Sequence, residues 1–409
     1  TCRDFGKNYL TSVDENGIIF TNGDNDTFPL WYAQETEGYR TDVRVCNLSY
    51  LQTDWYVNQM KSQAYESDPL PISMEESQYG NKKREYAYIL DRVDYPVSVK
   101  MAMDYFLSDD ERTKTIPGYG KINHLPTGEL FIDIDKEKIL KSGIVPKGYE
   151  DKIVDRIDLS FKDKNTLILN DLAIIDLLST NAETGWKRPV YFATTVDPSF
   201  FTETDKYFMR TGMAYEVVPV KLENTPGRYQ VNTDKMYDNV MNKFVWGGID
   251  VNPDIYLDET IRRMCYSYRI MFIDLIDQLI QEGKTDKALK ALDYCMEKIP
   301  GDVVPHNYIS LQLAMDYYFL KQNEKGKALL EKIADSAIEY VTWINSLDNN
   351  KKRSVQRDYY YNERALAEQV IPMFYRFGDE ESGKKYLEKA ALAGVDINRY
   401  FKIDTSKTN

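Results

Sequence analysis

The sequence predicts an α/β unit with a Rossmann-like βαβ start and a parallel sheet, followed by an all-α unit of tetratricopeptide-like helical hairpins. Three observations predict it. Short apolar runs alternate with helix-spaced segments at the start of the chain, and the apolar period becomes wholly helical after about residue 255. That later stretch also repeats itself as helix–turn–helix units. A chain of 409 residues is too long for one ordinary core, so two domains are expected, at 1–250 and 251–409.

The elements follow in order. "RDFGKNYLTSV" places Phe5, Tyr9 and Leu10 on one side of a helix, and "GIIF" is a short buried-strand run. The polar stretch "TNGDNDT" reads as a loop before a helix from about Phe28 to Glu37. "DVRVCNLSYL" alternates as a strand, and "TDWYVNQMK" opens a helix with Thr53 or Asp54 as its cap. Strand, loop, helix and strand make a βαβ unit, which implies a parallel sheet. Residues 65–165 are rich in Pro, Gly, Tyr and charge and read as an insertion with little regular structure, "ELFIDID" being its best strand. "NDLAIIDLLSTNA" is a helix capped by Asn170 or Asp171, and "RPVYFATTV" and "AYEVVPV" are strands. Gly247, Gly248 and Pro253 in "WGGIDVNPD" break helix and strand alike and mark the boundary.

"MFIDLIDQLIQEGKTDKALKALDYCMEKIP" fits a tetratricopeptide hairpin. Ala288 aligns with the small residue of the second helix. Phe272, Leu275 and Leu279 then fall on the first helix's core positions, Gly283 at the turn, Leu292 and Cys295 in the second helix, and Pro300 at the exit. A looser copy surrounds Asn323 and Ala328, and a third has Gly378 at its turn and Ala390 in its second helix. Three hairpins are enough for a stable stack.

Composition excludes several functions. A formal charge of −13 and no long basic run argue against a nucleic-acid partner. Two histidines rule out HExxH zinc sites and multi-histidine cages, and neither GxSxG nor GxGxxG occurs. The "GKT" at 283–285 has Gln278 where a phosphate loop needs its first glycine, so its glycine serves a helical turn. No cofactor is expected. Cys2, Cys46, Cys265 and Cys295 show no metal spacing and read as small buried side chains, which leaves a disulfide pair open. No stretch is apolar enough to span a membrane. The chain begins with Thr, from which a piece of a longer precursor is expected.

The candidate site is the loop at Asp24-Asn25-Asp26. A D-x-D loop at the carboxyl end of a strand can hold a divalent ion against a diphosphate, because hard cations prefer carboxylate oxygens. A calcium hand does not fit, since Thr27 and Ala33 occupy its glycine and glutamate positions. The plainer reading is a turn through Asn22 and Gly23 with Asp26 or Thr27 capping the helix, and it weighs more. Between the two stands a ligand or partner contact through Asp24. Farther along, Arg262, Tyr266 and Arg269 share one helix face that could meet an anion between the domains, with a plain domain interface the stronger alternative. The many tyrosines suit sugar rings, though most belong to core and rim.

Three blocks carry a resemblance: "GIIFTNGDNDTFPLWYAQETEGYRTDVRVCNLSYLQTDWY", "WKRPVYFATTV" and "FVWGGIDVNPDIYLDETIRRM". Together they resemble the C-terminal portion of a family of polytopic membrane proteins of Gram-negative bacteria, long labelled a domain of unknown function and related to a vertebrate protein O-mannosyltransferase. The resemblance implies an N-terminal half of membrane helices of the lipid-phosphate-sugar glycosyltransferase type, whose catalytic acidic residue lies outside this sequence. No catalytic residue therefore carries over. The family's Gly-Asp motif falls on Gly23 and Asp24, and its EG-x-R-x-D on Glu37, Gly38, Arg40 and Asp42, so Arg40 and Asp42 join Asp24, Asp26, Arg262 and Arg269 as candidate contacts for a ligand or partner. The resemblance implies a periplasmic accessory domain whose partners are that membrane portion and a protein or glycan acceptor. A helical-repeat scaffold and a metal-dependent sugar transferase built on Asp24 and Asp26 are the alternatives.

Overall fold

A computed structural model describes residues 2–118, 120–355 and 357–395. The chain divides into two compact units, Thr1–Gly247 and Gly248–Asn409. At the division Gly247 and Gly248 adopt φ of 61° and 82°, a left-handed backbone that ends any helix or strand.

The first unit opens with α1 (Cys2–Thr11), β1 (Ile18–Thr21), α2 (Asp24–Glu37), β2 (Arg44–Asn47) and α3 (Asp54–Met60). The βαβ expectation holds: β1 and β2 pair in parallel, with Ile18 opposite Arg44 and Thr21 opposite Asn47. Every residue of both strands is buried, so β2 does not alternate as its sequence suggested. Strands covered on both faces need no polar side. After α4 (Val99–Leu107) and α5 (Leu169–Glu183) come β3 (Val190–Ala193), β4 (Phe208–Arg210), β5 (Ala214–Val217) and β6 (Gln230–Val231). They complete a six-stranded sheet in the order β6-β4-β5-β3-β1-β2. β3 lies parallel to β1, but β5 runs antiparallel to both β3 and β4. The sheet is therefore mixed, where a parallel one was expected. The physical reason is the short link Thr211–Met213, which can only turn a hairpin, since a parallel crossover needs a dozen residues. Phe20, Phe192 and Phe208, packed ring against ring at 5.0 and 5.2 Å, form the centre of the core.

The 65–165 segment is more regular than its composition suggests. Tyr86–Ile89 lies between Thr166–Ile168 and His124–Leu125, while Glu129–Asp133 pairs antiparallel with Arg156–Ser160. The "ELFID" strand was foreseen, and its Leu130 and Ile132 are buried. The others are two to five residues long, too short for a period to show.

The second unit is helical: α6 (Glu259–Gln281), α7 (Thr285–Lys298), α8 (Tyr308–Phe319), α9 (Asn323–Ser346), α10 (Arg357–Arg376) and α11 (Glu380–Leu392) are its principal helices, paired as three hairpins. Phe272, Leu275, Leu279, Ala288, Leu292 and Cys295 are all fully buried, as the alignment requires. In the second hairpin the register corrects the sequence reading, because Ala328 is exposed and Gly326 is buried. Each turn has one left-handed residue, Gly283, Lys321 or Gly378, and five residues later stands the small one, Ala288, Gly326 or Gly383. A Cβ on Gly326 would lie 2.7 Å from the Tyr318 ring, and one on Gly383 would lie 2.4 Å from Tyr375. The two copies with glycine set a tyrosine ring over it, whereas the first copy has Ile280 at that position and tolerates alanine.

Candidate functional site

β1 is flanked by β2 on one side and β3 on the other, and the connections leaving β1 and β3 diverge. That is the switch point at which open α/β sheets collect ligands. The acidic motif sits there, but on a helix and not in a loop: α2 begins at Asp24, with Gly23 as its extended N-cap. Asp26 is the third helical residue and only 2% exposed. Its carboxylate accepts the N–H of Gly23 at 2.9 Å, the N–H of Asn22 at 3.2 Å and the hydroxyl of Thr195 at 2.8 Å. Asp26 thus caps α2 from inside and pins the loop after β3 to the loop after β1. Thr27 does not cap; its buried hydroxyl joins Thr21 at 2.8 Å and receives the Asn47 amide at 2.9 Å. Tyr9, buried, reaches both Thr194 and Thr195 at 3.2 Å.

Asp24 is different. It is exposed and bonds to no polar group among the described residues. The two carboxylates of the D-x-D are therefore not a pair: one is spent on the fold and one faces outward. Among the described residues no three His, Cys, Asp or Glu side chains group so as to hold a metal ion.

The second motif is a clamp. Gly38 ends α2 at φ 60°, and Glu37 forms an ion pair with Lys7 on α1. Arg40 meets Asp42 through two bonds of 2.8 Å and donates to the carbonyls of Leu10 and Val13 at 2.9 Å and Asp14 at 3.1 Å. The guanidinium fork satisfies carbonyls left open at the end of α1. Burial works against the Asp42 carboxylate, but Arg40 and the Asn16 N–H outweigh it and hold its pKa below the usual range. Arg40 and Asp42, candidates for contact, are thus bonded to each other and to the fold.

Arg269 is likewise internal. Fully buried on α6, it donates to the carbonyls of Pro305 at 2.8 Å, Ile299 at 3.2 Å and Val304 at 2.5 Å, fixing the connection between the first two hairpins. The structure does not bring Arg269 together with Arg262, which is exposed and lines a groove of about 680 Å³ with Tyr266, Tyr308 and Tyr340. Arg188 repeats the internal pattern: it holds Asn16, Asp68 and Pro69 by their carbonyls, and burial pulls its pKa down to about 10. Cys46, Cys265 and Cys295 are buried free thiols, whereas Cys2 is exposed.

Sequence reasoning missed the aromatic face beside the motif. Phe28, Trp31 and Tyr32 occupy the outward side of α2, opposite the buried Leu30 and Ala33. Trp31 stacks on Phe28 at 5.7 Å and on Tyr50 at 6.2 Å, and Tyr50 meets Trp55 at 6.2 Å. Four rings thus run from α2 across the loop after β2 to α3. The signal lay in α2 itself, which is apolar on two opposite faces where a core needs only one.

The model for the TMEM260-associated domain 2 matches residues 2–235, more than half of the chain. The chain belongs to the TMEM260-associated domain 2 family. The matched residues enclose the whole switch point: Asp26, Thr195, the Arg40–Asp42 clamp and the aromatic face. Neither curated proteins nor solved structures gave a match. The family is associated with a membrane protein, and among the described residues of this chain no helix is long and apolar enough to cross a membrane.

Proposed function

We propose that this chain is an accessory recognition part of a membrane-embedded, glycosyltransferase-like protein of the TMEM260 type. It stands on the periplasmic side, works with the membrane portion of the same protein and contributes no catalytic group of its own. One observation carries the reading. At the switch point Asp26 and the Arg40–Asp42 clamp are consumed by the fold, while Asp24 and an exposed aromatic face stand outward beside them. A site built to recognise needs contact area, whereas a site built to transfer a sugar needs convergent reactive groups.

The test has two arms. The isolated chain should turn over neither nucleotide sugars nor lipid-phosphate sugars, with or without manganese. In the intact membrane protein, Phe28→Ala combined with Trp55→Ala should abolish acceptor modification while leaving the membrane portion's binding of its sugar donor unchanged. Turnover by the isolated chain that Asp24→Asn removes would replace this reading with the metal-dependent transferase. The groove lined by Arg262, Tyr266 and Tyr308 supports a second reading, in which the helical unit is a scaffold for a protein partner. Arg262→Glu would then disrupt assembly and spare acceptor modification.

A further inference from the structure

We propose that the aromatic face formed by Phe28, Trp31, Tyr50 and Trp55 binds a neutral glycan chain, with Asp24, Asn22 and Asn25 along its edge. The inference rests on the recognition reading above and names the ligand class of that site.

The face is not residual core. Phe28 is 47% exposed and Trp55 55%, although each could have been a polar residue without loss to the interior. The rings come from two separate segments, 28–31 and 50–55, and the loops bearing them are tied together: Ser49 donates to the Asn22 carbonyl at 3.2 Å and to its side-chain oxygen at 3.1 Å. Tyr50 is also braced edge-on by the buried Tyr56 at 5.7 Å. The platform is therefore pre-ordered, and little freedom is lost when a ligand lands on it.

Charge decides among occupants. Residues 20–37 and 47–60, which supply the four rings, contain no lysine or arginine, and of the two lysines after Asn81, which bonds to Asp54, Lys83 is paired with Asp109, leaving Lys82 as a lone cation rather than a cluster. Phosphates, nucleotides, phosphorylated sugars and anionic lipids need such a cluster, so none of these fits. A strongly cationic partner would need a dense acidic rim, and of the five acids in these segments only Asp24, Glu35 and Asp54 hold a surface charge that no described cation offsets. Glu37 pairs with Lys7, Glu35 receives the Tyr65 hydroxyl, Asp26 is inside, and Asp54 accepts the N–H groups of Trp55 and Asn81. Asp24 is the one carboxylate of these segments with no such bond, and beside it stand the side chains of Asn25 and Gln52 and the edges of Asn22 and Ser49. Flat rings beside uncharged amides and a single acceptor match a pyranose, which offers an apolar C–H face to the rings and hydroxyls to the rim. Several rings in a row match a chain of sugar units better than a single one.

The test is titration of the full chain with neutral hexasaccharides of glucose, mannose and N-acetylglucosamine, followed by tryptophan fluorescence and calorimetry. A sulfated heparin hexasaccharide and hexalysine serve as charged probes. At least one neutral oligosaccharide should bind, and Trp55→Ala and Phe28→Ala should each weaken it about tenfold. Each side chain is about half exposed and packs against neighbouring rings, so the melting midpoints should stay within a few degrees of the wild-type value. No neutral binding at millimolar sugar overturns the proposal, as does neutral binding that neither variant changes. Tight hexalysine binding lost in Asp24→Asn would overturn it in favour of a cationic partner, and dimerisation lost in Trp55→Ala in favour of a second copy. The two readings fail separately. If the oligosaccharides do not bind but acceptor modification still needs the face, recognition stands and the glycan falls. If they bind but modification is unaffected, the glycan site stands and the recognition role falls.

Discussion

Removing the Asp26 carboxylate should destabilise the first unit, whereas removing that of Asp24 should not. The carboxylate accepts two backbone N–H groups at the start of α2 and the Thr195 hydroxyl after β3. Asn22 is half-buried and Gly23 and Thr195 are exposed, so water can rejoin these donors in Asp26→Ala. The loss is then that of a helix cap plus one charge-assisted bond between loops, about 2–3 kcal/mol together. For a unit of this size each kcal/mol moves the melting midpoint by about 2–4 °C, giving a drop of about 4–12 °C. Asp24→Asn should leave the midpoint unchanged, because Asp24 is exposed and has no partner to lose among the described residues. Differential scanning calorimetry reads both, and titration with manganese completes the assay. An unchanged midpoint in Asp26→Ala, together with micromolar manganese binding that vanishes in Asp24→Asn, would refute the reasoning. The motif would then be a metal half-site and not a cap.

Three further outcomes are expected. Ala288→Leu forces extra volume into a fully buried position of the first hairpin and should cost about 1–3 kcal/mol, read by thermal unfolding of the helical unit. Arg40→Lys replaces a fork serving Asp42 and three carbonyls with one ammonium and should cost about 1–3 kcal/mol; a midpoint equal to wild type would remove the clamp. In the helical unit, burial and then the charge of Asp277 raise the Asp316 carboxyl to about 7, so the folded state binds that proton more tightly than the unfolded one. Its contribution is complete below about pH 4 and is lost as pH rises to 7. His306, which burial and then Arg269 lower to about 3, works in the opposite sense, contributing fully above its ordinary 6.5 and losing that as pH falls. The two offset each other, so the informative quantity is a difference: the stability of Asp316→Asn minus wild type should grow from pH 4 to 7 by up to about 4 kcal/mol and then level off. A flat difference across that range would show that Asp316 ionises normally.

Local rules determined much of this protein. The helix spacing of residues 2–11, the apolar run at 18–21 and the helical period after 255 follow from which side chains must leave water, and that is written in sequence order. So are the hairpin turns at Gly283 and Gly378, because a left-handed backbone selects glycine locally. The motif's place after the first strand was legible and capping was already the stronger reading, but the helix begins at Asp24, four residues before the expected start. Its partners were not legible. Thr195 lies 169 residues from Asp26, and only the parallel pairing of β3 with β1 brings it there. The same holds for the arginines. A sequence shows Arg40 and Arg269 as charges available to a ligand, but packing turns each inward onto carbonyls scattered along the chain. The antiparallel half of the sheet escaped because its strands are short, and a period needs length to appear. The aromatic face was the opposite case. Its residues were visible as aromatic, but only the tertiary structure decided that they point outward, since exposure depends on what covers a side chain and not on what it is made of.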